Sequence, residues 1–138
     1  MYGKPILLIE GPGARPPTVS EALGQLGLTA NVVRCHSLGQ ALDRLKSERD
    51  LEPAVIVLDG LTETHEGLNA LKAVKSSQTL RSIPVVVLAP SGEEQVVDES
   101  FALGAAGFVV KSGSSSEFAE AVRMIHEYWT LSEVPPCT

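Results

Sequence analysis

A chain of 138 residues with 43% hydrophobic and 20% charged side chains is long enough to bury the core of one domain without disulfide or metal support. Its formal charge of −6 opposes binding to a phosphate backbone, which needs clustered Lys and Arg, so no nucleic-acid partner is expected. Cys35 and Cys137 form neither a disulfide framework nor a metal-ligand spacing, and no apolar run approaches transmembrane length, so we expect a soluble protein of the reducing cytoplasm with no membrane association.

Along the chain, apolar runs of strand length alternate with segments of helical period, a pattern that predicts a βαβ series and a parallel sheet covered on both faces. The first strand is expected over 5–9 and delivers Glu10. Gly11-Pro12-Gly13 with Arg15 reads as a plain loop, because Pro16 and Pro17 have no N–H to offer a phosphate and no phosphate-loop pattern is present. Those prolines suit a first helical turn, with Thr18-x-x-Glu21 just inside it. A second strand is expected over 31–35, followed by the capping box Ser37-x-x-Gln40 and a face of Leu38, Leu42 and Leu45. The third strand, 54–58, ends in Asp59, and Leu68, Leu71 and Val74 give the next helix its stripe from near Gly67. A fourth strand over 84–88 precedes a helix capped by Ser91-x-x-Glu94, carrying Val97 and Phe101 and ended by Gly104. The fifth strand, 107–110, delivers Lys111, and Ser114-x-x-Glu117 opens a last helix with Phe118, Val122, Ile125 and Trp129 on one face. One domain over 1–132 with a proline-containing tail over 133–138 accounts for the whole chain. His36, His65 and His126 are dispersed and are expected on the surface.

Three strand ends thus bring two acids and one base to one edge of the sheet, where α/β proteins gather ligands and chemistry. Ile6-Leu7-Leu8-Ile9-Glu10, Pro53 to Asp59, Ile83 to Leu88 and Leu103 to Lys111, in that order, resemble the receiver domains of two-component signalling over essentially the entire chain. The segment from Phe118 to Pro136, with Glu127-Tyr128-Trp129, is similar to stand-alone phytochrome-associated response regulators. The resemblance implies a flavodoxin-like (CheY-like), doubly wound, five-stranded parallel sheet of order 2-1-3-4-5 with five helices. It also implies a non-enzymatic signalling module with a histidine kinase as partner. Asp59 would be the phosphoacceptor, Glu10 and Asp59 the metal-holding acids, and Lys111 the contact to phosphoryl oxygens.

Several positions depart from that pattern. Gly11 stands where the family has a second acid, so Mg²⁺, which is held through oxygens, is expected to bind weakly with no other cofactor. Ala89 stands where the family has a hydroxyl, and Phe108 where tyrosine is usual, removing both hydroxyls of the family's switch pair. Ser112 replaces a proline, and Leu61 and Glu63 replace the polar residue and proline that commonly follow the acceptor. These changes point to a degenerate receiver in which Asp59 pairs with Lys111, while Glu10 is either a remnant metal ligand or a second partner for Lys111. A working phosphoacceptor and a flavodoxin-like binder of a small anion at Gly11–Arg15 are the alternatives. Tyr128 and Trp129 are adjacent and cannot share one core face, so an intermolecular surface is expected there, in a homodimer built on the fourth and fifth helices.

Overall fold

The computed structural model describes residues 4–11, 18–28, 32–47, 51–59, 66–78, 80–89, 94–111 and 115–130. The elements run β1 (Ile6–Glu10), α1 (Val19–Gln25), β2 (Val32–Cys35), α2 (Leu38–Ser47), β3 (Val55–Asp59), α3 (Glu66–Ser76), β4 (Val85–Ala89), α4 (Glu94–Ala102), β5 (Gly107–Val110) and α5 (Ser115–Thr130). All strand pairs are parallel and the order is β2-β1-β3-β4-β5, as the sequence implied. The branched residues of β1, β3 and β4 are buried throughout because helices cover both faces.

Strand alternation divides the core in two. Ile6, Leu8, Val55, Val57, Val86 and Leu88 pack against Val19, Ala22 and Leu23 of α1 and Phe118, Val122 and Ile125 of α5. Leu7, Ile9, Ile56, Leu58, Val85 and Val87 face Ala41 of α2 and Ala70, Leu71 and Val74 of α3. The period of two then assigns the polar strand ends. Glu10 follows Leu8 by two residues, Asp59 follows Val57 and Lys111 follows Val109, so all three belong to the α1/α5 face.

Several boundaries differ from the sequence reading. β1, β3 and β4 each end one residue later, so Glu10, Asp59 and Ala89 are ladder residues rather than the first residues beyond the sheet. Backbone pairing is indifferent to side-chain polarity: the Gly11 N–H donates to the Asp59 carbonyl at 2.7 Å and the Lys111 N–H to that of Ala89 at 2.8 Å. α1 starts at Val19, after the prolines, because Thr18 is its N-cap. The Thr18 hydroxyl oxygen accepts the Glu21 N–H at 3.2 Å. In α2 the Ser37 oxygen accepts the Gln40 N–H, while the Gln40 amide oxygen reaches back to the His36 N–H at 2.7 Å. The expected caps Ser91 and Ser114 lie outside the described residues.

α4 does not bury its aromatic residue. Ser100 is its fully buried position, its hydroxyl returned to the Val96 carbonyl at 2.8 Å, while Phe101 is 47% exposed. On α5, Phe118, Val122 and Ile125 form the expected core stripe, and His126 joins it. The surface expectation is therefore corrected for His126, whose place four residues after Val122 puts it on the packed side; burial lowers its pKa. His36 is exposed, and His65, the Trp129 side chain and residues 131–138 lie outside the described residues. No described helix is long and apolar enough to cross a membrane.

Gly104 ends α4 with φ +102°, and a Cβ there would lie 3.3 Å from Lys75 Cε. Gly39, inside α2, meets nothing closer than 3.9 Å. The same substitution should therefore act in opposite directions. Gly104→Ala is expected to destabilise by about 1–2 kcal/mol, and Gly39→Ala to stabilise by about 0.4–1 kcal/mol, both read from urea unfolding midpoints.

Candidate functional site

At the carboxyl edge of the sheet Glu10 and Asp59 are register partners on neighbouring strands. Lys111 directly follows β5, and since β4 lies between β3 and β5, its four-carbon stem must span a strand to reach Asp59. Its Nζ donates to Asp59 Oδ1 at 2.9 Å, with side chains only 8% and 1% exposed. The ammonium also lies 5.5 Å from the ring centroid of Phe118 on α5, a cation–π contact that adds a second anchor.

Glu10 is held from the other side. Its Oε1 accepts from Ser20 Oγ of α1 at 2.7 Å, and from Arg34 Nη2 and Nε of β2 at 3.0 and 3.2 Å. Glu10 is buried, while the Arg34 side chain is 55% exposed. Of the two sequence readings of Glu10, remnant metal ligand or second partner for Lys111, neither anticipated the bonded partners shown for it, which are Arg34 and Ser20. Register is the reason. Arg34 pairs with Leu8 across the β1–β2 ladder, so it shares the face of Glu10 one alternation earlier, and its long side chain reaches forward. Neither Arg34 nor Ser20 was identified from the sequence. The signal available was a charged residue two positions after Val32, on a strand face that is otherwise apolar.

Burial raises the pKa of Asp59; the Lys111 hydrogen bond and charge oppose this, and the Glu10 charge adds to it. Asp59 Oδ2 is buried without a hydrogen-bond partner among the described residues. Ala89, buried at the end of β4, presents a methyl group, and Phe108 packs with the α2/α3 core on the same face. Gly11 contributes only its backbone N–H. Ser112, Leu61 and Glu63 lie outside the described residues, as do Pro12 to Arg15 of the loop considered for a small anion. Tyr128 is 59% exposed.

A divalent cation of the Mg²⁺ class requires several oxygen ligands in near-octahedral arrangement. Here Glu10 Oε1 is engaged three times over and Asp59 Oδ1 is held by an ammonium. No group of three His, Cys, Asp or Glu suited to a metal gathers among the described residues. One oxygen of each acid is thereby occupied, which leaves few carboxylate donors for such an ion among the described residues. A cavity of about 620 Å³ lined by Leu42, Leu45, Leu80 and Ile83 opens elsewhere and shares no residue with the cluster.

Residues 6–123 match the model of the response regulator receiver domain. The chain is 30% identical over 128 residues to the "Probable methanogenesis regulatory protein FilR2" of Methanothrix harundinacea strain 6Ac, covering 90% of this chain and 82% of that protein. It is 28% identical to the response regulator Rcp1 of Synechocystis sp. over 91% of this chain and 88% of Rcp1. The crystal structure of the phosphorylated cyanobacterial phytochrome response regulator RcpA superposes with a TM-score of 0.75 at 30% identity, covering 100% of both chains.

The raised pKa of Asp59 has a consequence for stability. Because the folded state binds this proton more tightly than the unfolded chain, the contribution of Asp59 to stability is greatest below its ordinary value of 3.8 and is lost as pH rises through the folded value. In Asp59→Asn that proton-linked change is absent. The stability of the variant relative to the parent should therefore increase across this window and level off above it. Paired urea titrations from about pH 3 to pH 7 check this, and an opposite trend would mean that Lys111 outweighs burial.

Proposed function

The chain belongs to the response-regulator receiver domain family, and we propose that it is a protein-interaction module of a two-component or phosphorelay system with a degenerate acceptor pocket. One observation carries this reading: each acid of the pocket already has a cationic partner built into the fold, Lys111 for Asp59 and Arg34 for Glu10. Phosphoryl transfer to a carboxylate needs a free oxygen nucleophile and a cation that neutralises charge on the transferring group. In this pocket the second acid is Gly11 and the hydroxyl is replaced by the Ala89 methyl, so neither a good metal cradle nor a hydroxyl donor for an acyl phosphate is at hand. Asp59, Lys111 and Glu10 then serve as a structural lock on the sheet edge, and signalling runs through contact with a histidine kinase or another signalling protein in the cytoplasm. RcpA is a phytochrome response regulator, which makes a phytochrome-linked signalling protein the first candidate partner.

A second reading keeps Asp59 as a phosphoacceptor. It is favoured by Asp59 Oδ2, which has no hydrogen-bond partner among the described residues, and by the phosphorylated state of RcpA. Acetyl phosphate with Mg²⁺, followed by intact-mass analysis, separates the two. We expect little or no phosphoryl adduct under conditions that fully label an ordinary receiver, and rapid stoichiometric labelling of Asp59 would establish the second reading instead.

For the interaction surface we propose a second copy of this chain on α4, β5 and α5. Phe101 of α4 and Met124 and Tyr128 of α5 are 47%, 60% and 59% exposed, apolar or aromatic area of the kind enriched at interfaces. Light scattering at tens of micromolar should find a homodimer. Tyr128→Ala with Trp129→Ala should shift it to monomer while circular dichroism of the sheet and helices is unchanged; a monomeric parent at that concentration would refute the surface.

A further inference from the structure

We propose that Arg34 is a resident cation of this pocket beside Lys111, and that its guanidinium, in addition to the missing acid, keeps divalent metal away from Glu10. The inference rests on reading the site as a receiver-type pocket, but it concerns a residue and an interaction that the family resemblance does not supply. Glu10 is the acid that a metal-dependent pocket would direct at the ion. Here two nitrogens of one guanidinium converge on its Oε1, at 3.0 and 3.2 Å, and Ser20 Oγ takes a third position on the same oxygen at 2.7 Å. Charge-assisted bonds of this kind to a buried carboxylate are among the stronger ones available to a side chain.

The charges explain why this matters for a cation. Among the described residues, Glu10 and Asp59 carry two negative charges, and Arg34 and Lys111 two positive ones, so this group of four is neutral. An approaching Mg²⁺ or Mn²⁺ meets no net attraction from these four groups, and must displace the guanidinium to reach Oε1 of Glu10. Arg34 is 55% exposed and comes from an edge strand, so it can be exchanged without opening the core. Removing its charge leaves the cluster at −1, and even with the screening of bulk water a unit charge a few Å from a divalent ion changes its affinity by about tenfold or more.

The test is Mn²⁺ binding, followed by electron paramagnetic resonance and calorimetry, to the parent, Arg34→Met and Arg34→Lys. The parent should show no saturable binding below millimolar concentration. Arg34→Met should bind at least about tenfold more tightly, and Arg34→Lys, which keeps the charge, should stay close to the parent. Equal affinity in parent and Arg34→Met overturns the proposal, as does a gain in Arg34→Lys as large as that in Arg34→Met. A second measurement needs no variant. The Arg34 Nε–H resonance of the parent should be unmoved by millimolar Mg²⁺, and its loss would show that metal outcompetes the guanidinium. Because the acetyl phosphate experiment reads acyl phosphate formation and this one reads metal occupancy, failure of either is distinguishable from failure of the other.

Discussion

A carboxylate at the end of a fully buried strand is stable in charged form only with a partner, and this chain has two such carboxylates side by side, Glu10 and Asp59 in register on β1 and β3. The rest of the carboxyl edge follows from that constraint. Each acid recruits a base from a different outer strand, Arg34 from β2 and Lys111 from β5, so the pairs tie both outer strands of the sheet toward its centre. Helices are drawn in as well. Ser20 of α1 completes the coordination of Glu10, and Phe118 of α5 lies over the Lys111 ammonium, placing the two helices of one layer against the two halves of the cluster.

Such pairs specify geometry more than they stabilise. Desolvating Asp59 outweighs what Lys111 returns, which is why its pKa is raised rather than lowered. Removing one member of a buried pair nonetheless leaves the other uncompensated, typically at a cost of about 3–5 kcal/mol. The Asp59–Lys111 pair therefore has a structural reason to persist with or without phosphoryl chemistry. The Arg34–Glu10 pair differs, because Arg34 is half in water. It contributes less to stability and more to the local electrostatic potential.

The fold was largely legible in the sequence because β1, β3 and β4 are continuous branched apolar runs and the intervening helices carry period-3.6 stripes. Glu10, Asp59 and Lys111 were legible for a related reason: each is the first polar residue after such a run, and parallel connectivity brings those ends to one edge. What stayed hidden depends on relations between segments. Arg34 reaches Glu10 only because of the β1–β2 register, and nothing local to Val32-Val33-Arg34-Cys35 states that register. Ser20 needs the orientation of α1 across β1. The buried Ser100 and exposed Phe101 reverse the hydrophobic order on α4 because that helix is oriented by its neighbours and not by its own most apolar residue.

The loss of the hydroxyl pair bears on how such a module would transmit a signal. Ala89 and Phe108 lie on the α2/α3 face of the sheet, whereas the carboxylates and Lys111 lie on the α1/α5 face. In a receiver that switches, a hydroxyl at the end of β4 links the chemistry on one face to the aromatic residue on the other. With a methyl group at Ala89 and a phenyl ring at Phe108, no hydrogen bond can join the two, and Phe108 is held by packing against the apolar core. The hydrogen-bonded link from the end of β4 to the ring on β5 is therefore absent. On the interaction reading, the α4–β5–α5 face then acts without that hydrogen-bonded link to the Asp59 edge, and regulation falls to the abundance or state of the partner that docks there.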